Sequence, residues 1–324
     1  MRVLVTGGAG YIGSHACKAL AAAGREPVVF DNLSTGHRRA VKWGPLVEGD
    51  VRDPRALAAA FAEHRPQMVM HFAALAYVGV SVREPASYYE TNVVGTLTLL
   101  RAMVEAGVKA IVFSSTCATY GEPDVLPIDE TAPQNPINPY GRTKLMAEQL
   151  LKDFETAYGL RWAALRYFNA AGADPDGEIG EEHDPETHAI PLALQSALGL
   201  RGAFEILGTD YPTPDGSAVR DYIHVTDLAD AHVRAAEHLA GGGPSIALNL
   251  ATGVGVSVRQ IVGAASKATG RATPTVEAPR REGDPAALYA TGGKAREVLG
   301  WTPRFTDIDE TVATAARWMT RDCP

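Results

Sequence analysis

Short β-branched and apolar runs alternate along the first half of the chain with longer Ala- and Leu-rich stretches whose apolar positions recur every three or four residues. The runs predict strands at 3–5, 27–30, 46–48, 68–72, 110–114 and 162–165, and the longer stretches predict helices at 14–23, 55–62, 87–106 and 140–158. Strands separated by helices in this way form right-handed βαβ units around a parallel sheet. The fold class is therefore α/β: a doubly wound parallel sheet of Rossmann type with a second, smaller α/β domain. Beyond about residue 169 the pattern loosens into Gly-, Pro- and acid-rich segments at 174–186 and 209–216, predicting a region built largely from loops with a last helix at 309–319. Segment 220–251 again reads as strand, helix, strand and is expected to rejoin the first sheet. The expected division is residues 1–169, with 221–251 added, against a discontinuous second domain within 170–324.

The 324 residues carry 30 Lys and Arg against 38 Asp and Glu, a net charge of −8. Such a balance repels polyanions and argues against nucleic-acid binding. With 46% hydrophobic and 21% charged residues, the composition is that of a globular protein rather than a disordered one. Cys17, Cys117 and Cys323 are too far apart to suggest a disulfide framework or a cysteine-based zinc motif, so a reducing, cytoplasmic compartment is expected. The apolar run after Met1 ends at Thr6-Gly7-Gly8, and the stretch 68–82 is broken by His71, Gly79 and Ser81. Neither a signal peptide nor a membrane span is expected.

Gly7, Gly10 and Gly13 form a Gly-x-x-Gly-x-x-Gly run between the first strand and the first helix. Small residues there let the backbone approach a pyrophosphate while the helix N-terminus offers N–H donors, although any tight strand-to-helix turn needs small residues as well. Asp31 follows the second strand, 18 residues beyond Gly13. A carboxylate at that place accepts hydrogen bonds from an adenine ribose and repels the extra phosphate of NADP, which favours NAD. Its competing role is to cap a local turn with Asn32 and Ser34. Gly49-Asp50-Val51 reads equally well as a wall for adenine or as a simple Asx turn.

Tyr140 and Lys144 stand one turn apart on the same helix face. Asn138 and Pro139 read as N-cap and first helical residue, placing Tyr140 in the first turn, where the helix dipole favours a phenolate. A phenol of ordinary pKa, about 10, acts as a base near neutrality only with help from a positive charge such as Lys144 or an oxidised nicotinamide. The same spacing also arises when a Tyr packs in a core and a Lys snorkels to solvent. Ser114, Ser115 and Thr116 shift that balance, because ligands of an open parallel sheet bind beyond the carboxyl ends of its strands.

At this point the chain resembles the extended short-chain dehydrogenase/reductase superfamily, and within it the NAD-dependent UDP-glucose 4-epimerases, over nearly its whole length. The resemblance runs through residues 6–15 (TGGAGYIGSH), 31–34 (DNLS), Tyr88-Tyr89, Asn92-Val93, 113–116 (FSST), Tyr120-Gly121, 166–169 (RYFN), 220–224 (RDYIH) and 279–284 (PRREGD). It implies that Tyr11 and Ile12 line the pyrophosphate turn, that Asp31, Asn32, Ser34, Thr35 and Gly36 hold the adenine ribose, and that Asp50 and Val51 flank adenine. Phe72, Ala73 and Ala74 would pass beside the cofactor and Thr91 and Asn92 would contact it. Lys144 would bond the nicotinamide ribose and Phe168 would lie near the nicotinamide, with Ser114 and Tyr167 in the same cofactor-binding set. Some relatives carry a lysine where this chain has Ala76. For a UDP-sugar the resemblance implies Asn169, Arg220, Arg281 and Asp284, the two arginines suiting a diphosphate. It adds His188 and Ala189, and also Leu288, at a position where a bulky Tyr in relatives accompanies exclusion of N-acetylated sugars. Homodimerisation through helices 87–106 and 140–158 is a further implication.

The reaction so implied begins with Tyr140 taking the proton of the sugar 4-hydroxyl, with Thr116 bonded to the same oxygen, while C4 gives hydride to NAD. The 4-keto sugar then turns about its diphosphate link and takes the hydride back on its other face. Competing readings are an epimerase of another UDP-sugar (N-acetylhexosamine, pentose or uronic acid), a nucleotide-sugar 4,6-dehydratase, and a non-catalytic NAD-sensing protein. Dehydratase relatives carry Asp-Glu after the catalytic Thr, whereas Cys117-Ala118 follow Thr116 here. Retention of Thr116, Tyr140 and Lys144 together argues for catalysis. Glu181, Glu182, His183, Asp184 and His188 crowd one segment without regular ligand spacing, so no metal is expected and the segment reads as a solvated loop. His71 and His224, in apolar surroundings, read as satisfied buried histidines.

Overall fold

The computed structural model describes residues 1–281 and 285–321, so Asp284 and Cys323 lie outside the described residues. The six strands expected in the first half form as β1 (Arg2–Thr6), β2 (Glu26–Asp31), β3 (Leu46–Glu48), β4 (Met68–His71), β5 (Ala110–Ser114) and β6 (Arg161–Arg166). Beyond them follow β7 (Asn169–Ala171), β8 (Phe204–Leu207), β9 (Val219–Arg220), β10 (Tyr222–His224), β11 (Ile246–Asn249), β12 (Val256–Ser257), β13 (Thr275–Ala278) and β14 (Ala287–Leu288). The helices are α1 (Tyr11–Ala22), α2 (Pro54–His64), α3 (Val78–Arg83), α4 (Pro85–Tyr88), α5 (Gly95–Glu105), α6 (Pro139–Tyr158), α7 (Ala189–Ala197), α8 (Val225–Ala240), α9 (Val258–Thr269), α10 (Gly293–Leu299) and α11 (Ile308–Thr320). None of the helices in the described residues is long and apolar enough to cross a membrane.

The main sheet is parallel throughout, in the order β11-β6-β5-β4-β1-β2-β3. Its order reverses between β1 and β4, and ligands of open α/β sheets bind at such a crevice. Every residue of β4 and β5 is buried, because helices cover both faces and neither face needs polar side chains. On one face Leu20 of α1 and Leu228 and Leu239 of α8 pack on Val3, Val5 and Met70. On the other, Leu57 of α2, Leu99 and Leu100 of α5 and Leu151 of α6 pack on Leu4, Val69 and Ile111. Each of these enclosed side chains contributes roughly 1.5–3 kcal/mol.

Local signals set the frame of α6. Asn138 accepts from Gly141 N at 2.8 Å, Pro139 opens the first turn, and Gly159 closes the helix in the left-handed region. Tyr140 therefore lies in the first turn, as its sequence position implies.

Three expectations need correction. The single helix expected over 87–106 is interrupted by a π-helical stretch at Tyr89–Val94. Buried Asn92 within it bonds Leu75 N and O and Thr143 Oγ1, and the wider turn delivers that side chain to partners outside its own helix. Segment 220–251 rejoins the main sheet only through β11, since β10 pairs with β7 in a separate two-stranded sheet. Lastly, the part beyond residue 169 is not mostly loop: α7, α9 and α11 enclose a third core around Leu194, Ile261 and Val312. A capping box between Ser257 and Gln260 starts α9.

Candidate active site

The glycine-rich turn is built by close backbone approach. A Cβ on Gly13 would stand 2.1 Å from Gly7 O, so only hydrogen fits where α1 leaves the sheet. No side chain caps α1 and no acidic residue occupies its first turn, leaving the N–H groups of that turn available to an anion. Asp31, at the end of β2, fixes the turn: Oδ2 accepts from Ala9 N at 2.9 Å and Oδ1 from Leu33 N at 2.8 Å. Burial raises its pKa, while the two N–H donors oppose that rise. The capping role is thus present, and each oxygen keeps a lone pair for a ribose hydroxyl. Asn32 accepts from Ser34 N and donates to Asp50 Oδ2 at 3.0 Å. Asp50 makes the Asx turn, accepting from Arg52 N at 2.8 Å, and the Arg52 guanidinium holds its carboxyl well below the usual range. Gly36 lies against Ala9, and His37 N donates to Ala9 O, so Thr35 and Gly36 sit over the same turn. Buried Val51 touches Gly95, while Phe72, Ala73 and Ala74 lead out of β4 half-buried. Ala76, further along that loop, is exposed. Asn92 spends its amide inside the protein and therefore positions the 75 loop; Thr91 beside it is half-buried.

The glycine after Tyr140 seats α6. A Cβ on Gly141 would come within 2.6 Å of Ala118 O, so the helix closes directly on the turn that follows Thr116. Thr116 accepts from Ala118 N at 3.1 Å, which aims its hydroxyl. Burial pushes the Tyr140 phenol up to about 12, and the Thr116 hydroxyl beside it draws it partly back. Lys144 donates to Ser114 O at 2.8 Å over the face of Phe113, and burial pulls its amine down to about 7. The sequence reading assigned Lys144 the task of lowering the phenol. In the protein alone burial works against that task, because it disfavours the Lys144 cation. Ser114 Oγ pairs with Tyr167 OH at 2.5 Å, and Phe168 follows half-buried.

Below this surface lies a network that sequence reasoning missed. Arg166 grips buried Glu148 through Nε (2.9 Å) and Nη2 (2.6 Å), Ser115 Oγ donates to Glu148 at 2.6 Å, and Arg166 Nη1 reaches Tyr120 OH at 2.8 Å. Glu148 stands one turn beyond Lys144, so the 140, 144, 148 spacing on one helix face was the available signal.

On the other side of the site, Asn169 donates to Asp221 O at 3.1 Å, and Arg220 in β9 lies in register with Leu288 in β14. Leu288 and Phe168 pack on the same small cluster around Cys117 and Tyr120. Arg281 is exposed, whereas its neighbour Arg280 pairs with Asp210 at 2.7 Å and stacks on Tyr211. His188 occupies the N-cap position of α7 with no side-chain capping bond, and Ala189 is the helix's first residue. The segment before them is not a solvated loop: the Glu181 and Glu186 side chains are almost enclosed and face His183 and His188. His71 and His224 are satisfied by Thr6 and Thr96 and by Thr226 and Thr314, as expected.

A Rossmann-type sheet with an open helix N-terminus, Asp31 beside it and a Tyr–Lys pair facing Thr116 beyond β5 defines a dinucleotide-dependent oxidoreductase site. The sequence places it more narrowly. The chain belongs to the NAD dependent epimerase/dehydratase family, which matches over residues 3–251. It is 58% identical to the UDP-glucose 4-epimerase of Rhizobium leguminosarum bv. trifolii, covering 98% of this chain and 96% of that protein. The crystal structure of UDP-glucose 4-epimerase from Brucella ovis in complex with NAD superposes with a TM-score of 0.95 at 56% identity, covering 97% of each chain. A Stenotrophomonas maltophila UDP-glucose-4-epimerase with bound NAD and formylated UDP-arabinopyranose gives 0.95 at 43% identity, covering 99% of each.

Proposed function

We propose that this chain is a UDP-glucose 4-epimerase that interconverts UDP-glucose and UDP-galactose through a 4-keto sugar. One observation carries the reading: Tyr140, in the first turn of α6, stands beside the Thr116 hydroxyl and one turn from Lys144, on a chain 58% identical to such an enzyme. The turn around Gly7, Gly10 and Gly13, the first turn of α1, Asp31 and Lys144 suit NAD, which when bound supplies a reversible two-electron acceptor for C4. Tyr140 accepts the proton of the 4-hydroxyl, and Thr116, aimed by Ala118 N, bonds the same oxygen. Burial keeps the phenol protonated near neutrality, so it becomes a base only when a positive charge enters beside it. After the keto sugar has turned and C4 has regained its hydride on the other face, Tyr140 returns the proton to the 4-oxygen and the opposite C4 configuration results. That requires a nucleotide held firmly and a sugar held loosely, the task we assign to Asn169, Arg220, Arg281, Asp284, His188, Ala189 and Leu288.

Elimination of water from the keto sugar needs a further acid and base. Buried Cys117, its thiol pushed far up by burial, and Ala118 supply neither, which supports epimerisation over dehydration. We assign residues 1–169 with 221–251 to NAD, supported by β11 at the sheet edge, and the remainder of 170–324 to the nucleotide sugar. We also infer a cytoplasmic homodimer. Buried free Cys17 and Cys117 support the compartment, and exposed Val94 and Met146 on the two expected interface segments support the dimer. Incubating the purified protein with UDP-glucose and no added oxidant tests the function. Formation of UDP-galactose supports it, and a persistent 4-keto-6-deoxy product decides for a dehydratase.

A further inference from the structure

We propose that Glu181, His183, Glu186 and His188 form a site for one divalent d-block cation of the zinc class, on the flank of the dinucleotide turn. Each offers one ligand atom, and the four atoms lie within 4.8 Å of one another. His183 Nδ1 is 3.2 Å from Glu181 Oε1 and 3.7 Å from Glu186 Oε2; His188 Nδ1 is 2.6 Å from Glu181 Oε1 and 3.4 Å from Glu186 Oε1. A tetrahedron of nitrogen and oxygen ligands about 2.0–2.1 Å from zinc has edges of roughly 3.3 Å, in the middle of that set.

Paired as simple ion pairs, these groups would direct N–H bonds at carboxylate oxygens. Instead Glu181 Oε1 and His183 Nδ1, both shut off from solvent, have no hydrogen-bond partner despite the short approaches. Unpaired polar atoms so enclosed are costly, and lone pairs converging on one point are what a cation satisfies. Side-chain exposure is 6% for Glu181, 9% for Glu186 and 15% for His183, whereas His188, at 44%, leaves an entry path. The backbone orients one ligand, since Thr187 N and His188 N donate to Glu186 Oε1 at 2.7 and 2.8 Å. Tyr77 walls the cluster, its ring centroid 6.0 Å from that of His183 and 6.1 Å from that of His188, and Tyr11 of the glycine-rich turn stands 6.3 Å from His183.

Two imidazoles exclude the all-oxygen preference of magnesium and calcium, and two carboxylates balance a dication. Four protein ligands make the site structural: a cation would fix the fold of segment 181–188, whose His183 packs on Tyr11 and Tyr77, with the His188 ring as ligand and its backbone at the start of α7 left to the nucleotide. The Glu-x-His-x-x-Glu-x-His spacing matches no regular zinc motif, which is why the sequence alone argued against a metal.

The test uses the full, untagged chain, stripped with a chelator and titrated with Zn²⁺ against a chromophoric competitor, with Mg²⁺ as control. The expected result is one equivalent of zinc per chain, no magnesium bound at the same concentration, and a Tm raised by about 4 °C at hundredfold excess over Kd. Cobalt(II) at the site should show the strong visible bands of tetrahedral coordination. Glu181→Gln and His183→Asn should each abolish stoichiometric binding. If a variant does not fold, the stoichiometry and cobalt spectrum of the parent chain still decide. Substoichiometric zinc, an unchanged Tm, or binding that survives both substitutions overturns the proposal.

Discussion

Lys144 Nζ lies 2.8 Å from the carbonyl oxygen of Ser114, so one buried side chain joins α6 to the end of β5, next to Thr116. Burial pulls the folded value to about 7, below the ordinary lysine value of 10.5. Between those values the unfolded chain binds a proton that the folded chain does not. This group therefore makes stability rise with pH across that window, its cost being greatest below the folded value. Urea denaturation of the parent and of Lys144→Met at about pH 7 and about pH 9 should show the parent gaining more on alkalinisation. Equal gains contradict the assignment.

Tyr140→Phe removes one hydroxyl and leaves the ring packed. Turnover should fall on the order of 100-fold or more while NAD stays bound, because only proton transfer is lost. Steady-state rates with the cofactor content of the purified variant check this, and near-normal turnover removes Tyr140 from the reaction.

Asp31 holds both Ala9 N and Leu33 N, and any ribose contact adds to those bonds. Asp31→Ala should weaken NAD retention by about tenfold or more, the worth of a charge-assisted hydrogen bond. Absorbance or fluorescence of the purified variant reads the occupancy, and a value equal to that of the parent sinks the ribose role.

The Glu148–Arg166 pair is a buried charge pair whose members each hold further partners. Glu148→Ala leaves the guanidinium uncompensated and should cost about 3–5 kcal/mol. A lowered denaturation midpoint at unchanged slope is the expected result. A loss under about 1 kcal/mol shows that Arg166 finds another anion or water.

The strands of the first half were legible because parallel strands covered on both faces read as unbroken apolar runs, as at Met68–His71 and Ala110–Ser114. Asn138, Pro139 and Gly159 likewise framed α6 from local chemistry alone. The π-helical interruption was not legible, since Asn92 answers to Leu75 and Thr143 rather than to its sequence neighbours. In the second half, α9 carried a readable capping box and a regular apolar face at Ile261, Ala264 and Ala265, but the Gly- and Pro-rich segments before it obscured the pattern. His183 is walled by Tyr11 and Tyr77, distant in sequence, and no local pattern foretells it.

Epimerisation in this site requires that C4 lose and then regain the same hydrogen. UDP-glucose carrying deuterium at C4, incubated with the protein in ordinary water without added NAD, should give UDP-galactose that keeps the deuterium at C4. Product with hydrogen from solvent at that carbon, or deuterium recovered in nicotinamide released to solution, would contradict it.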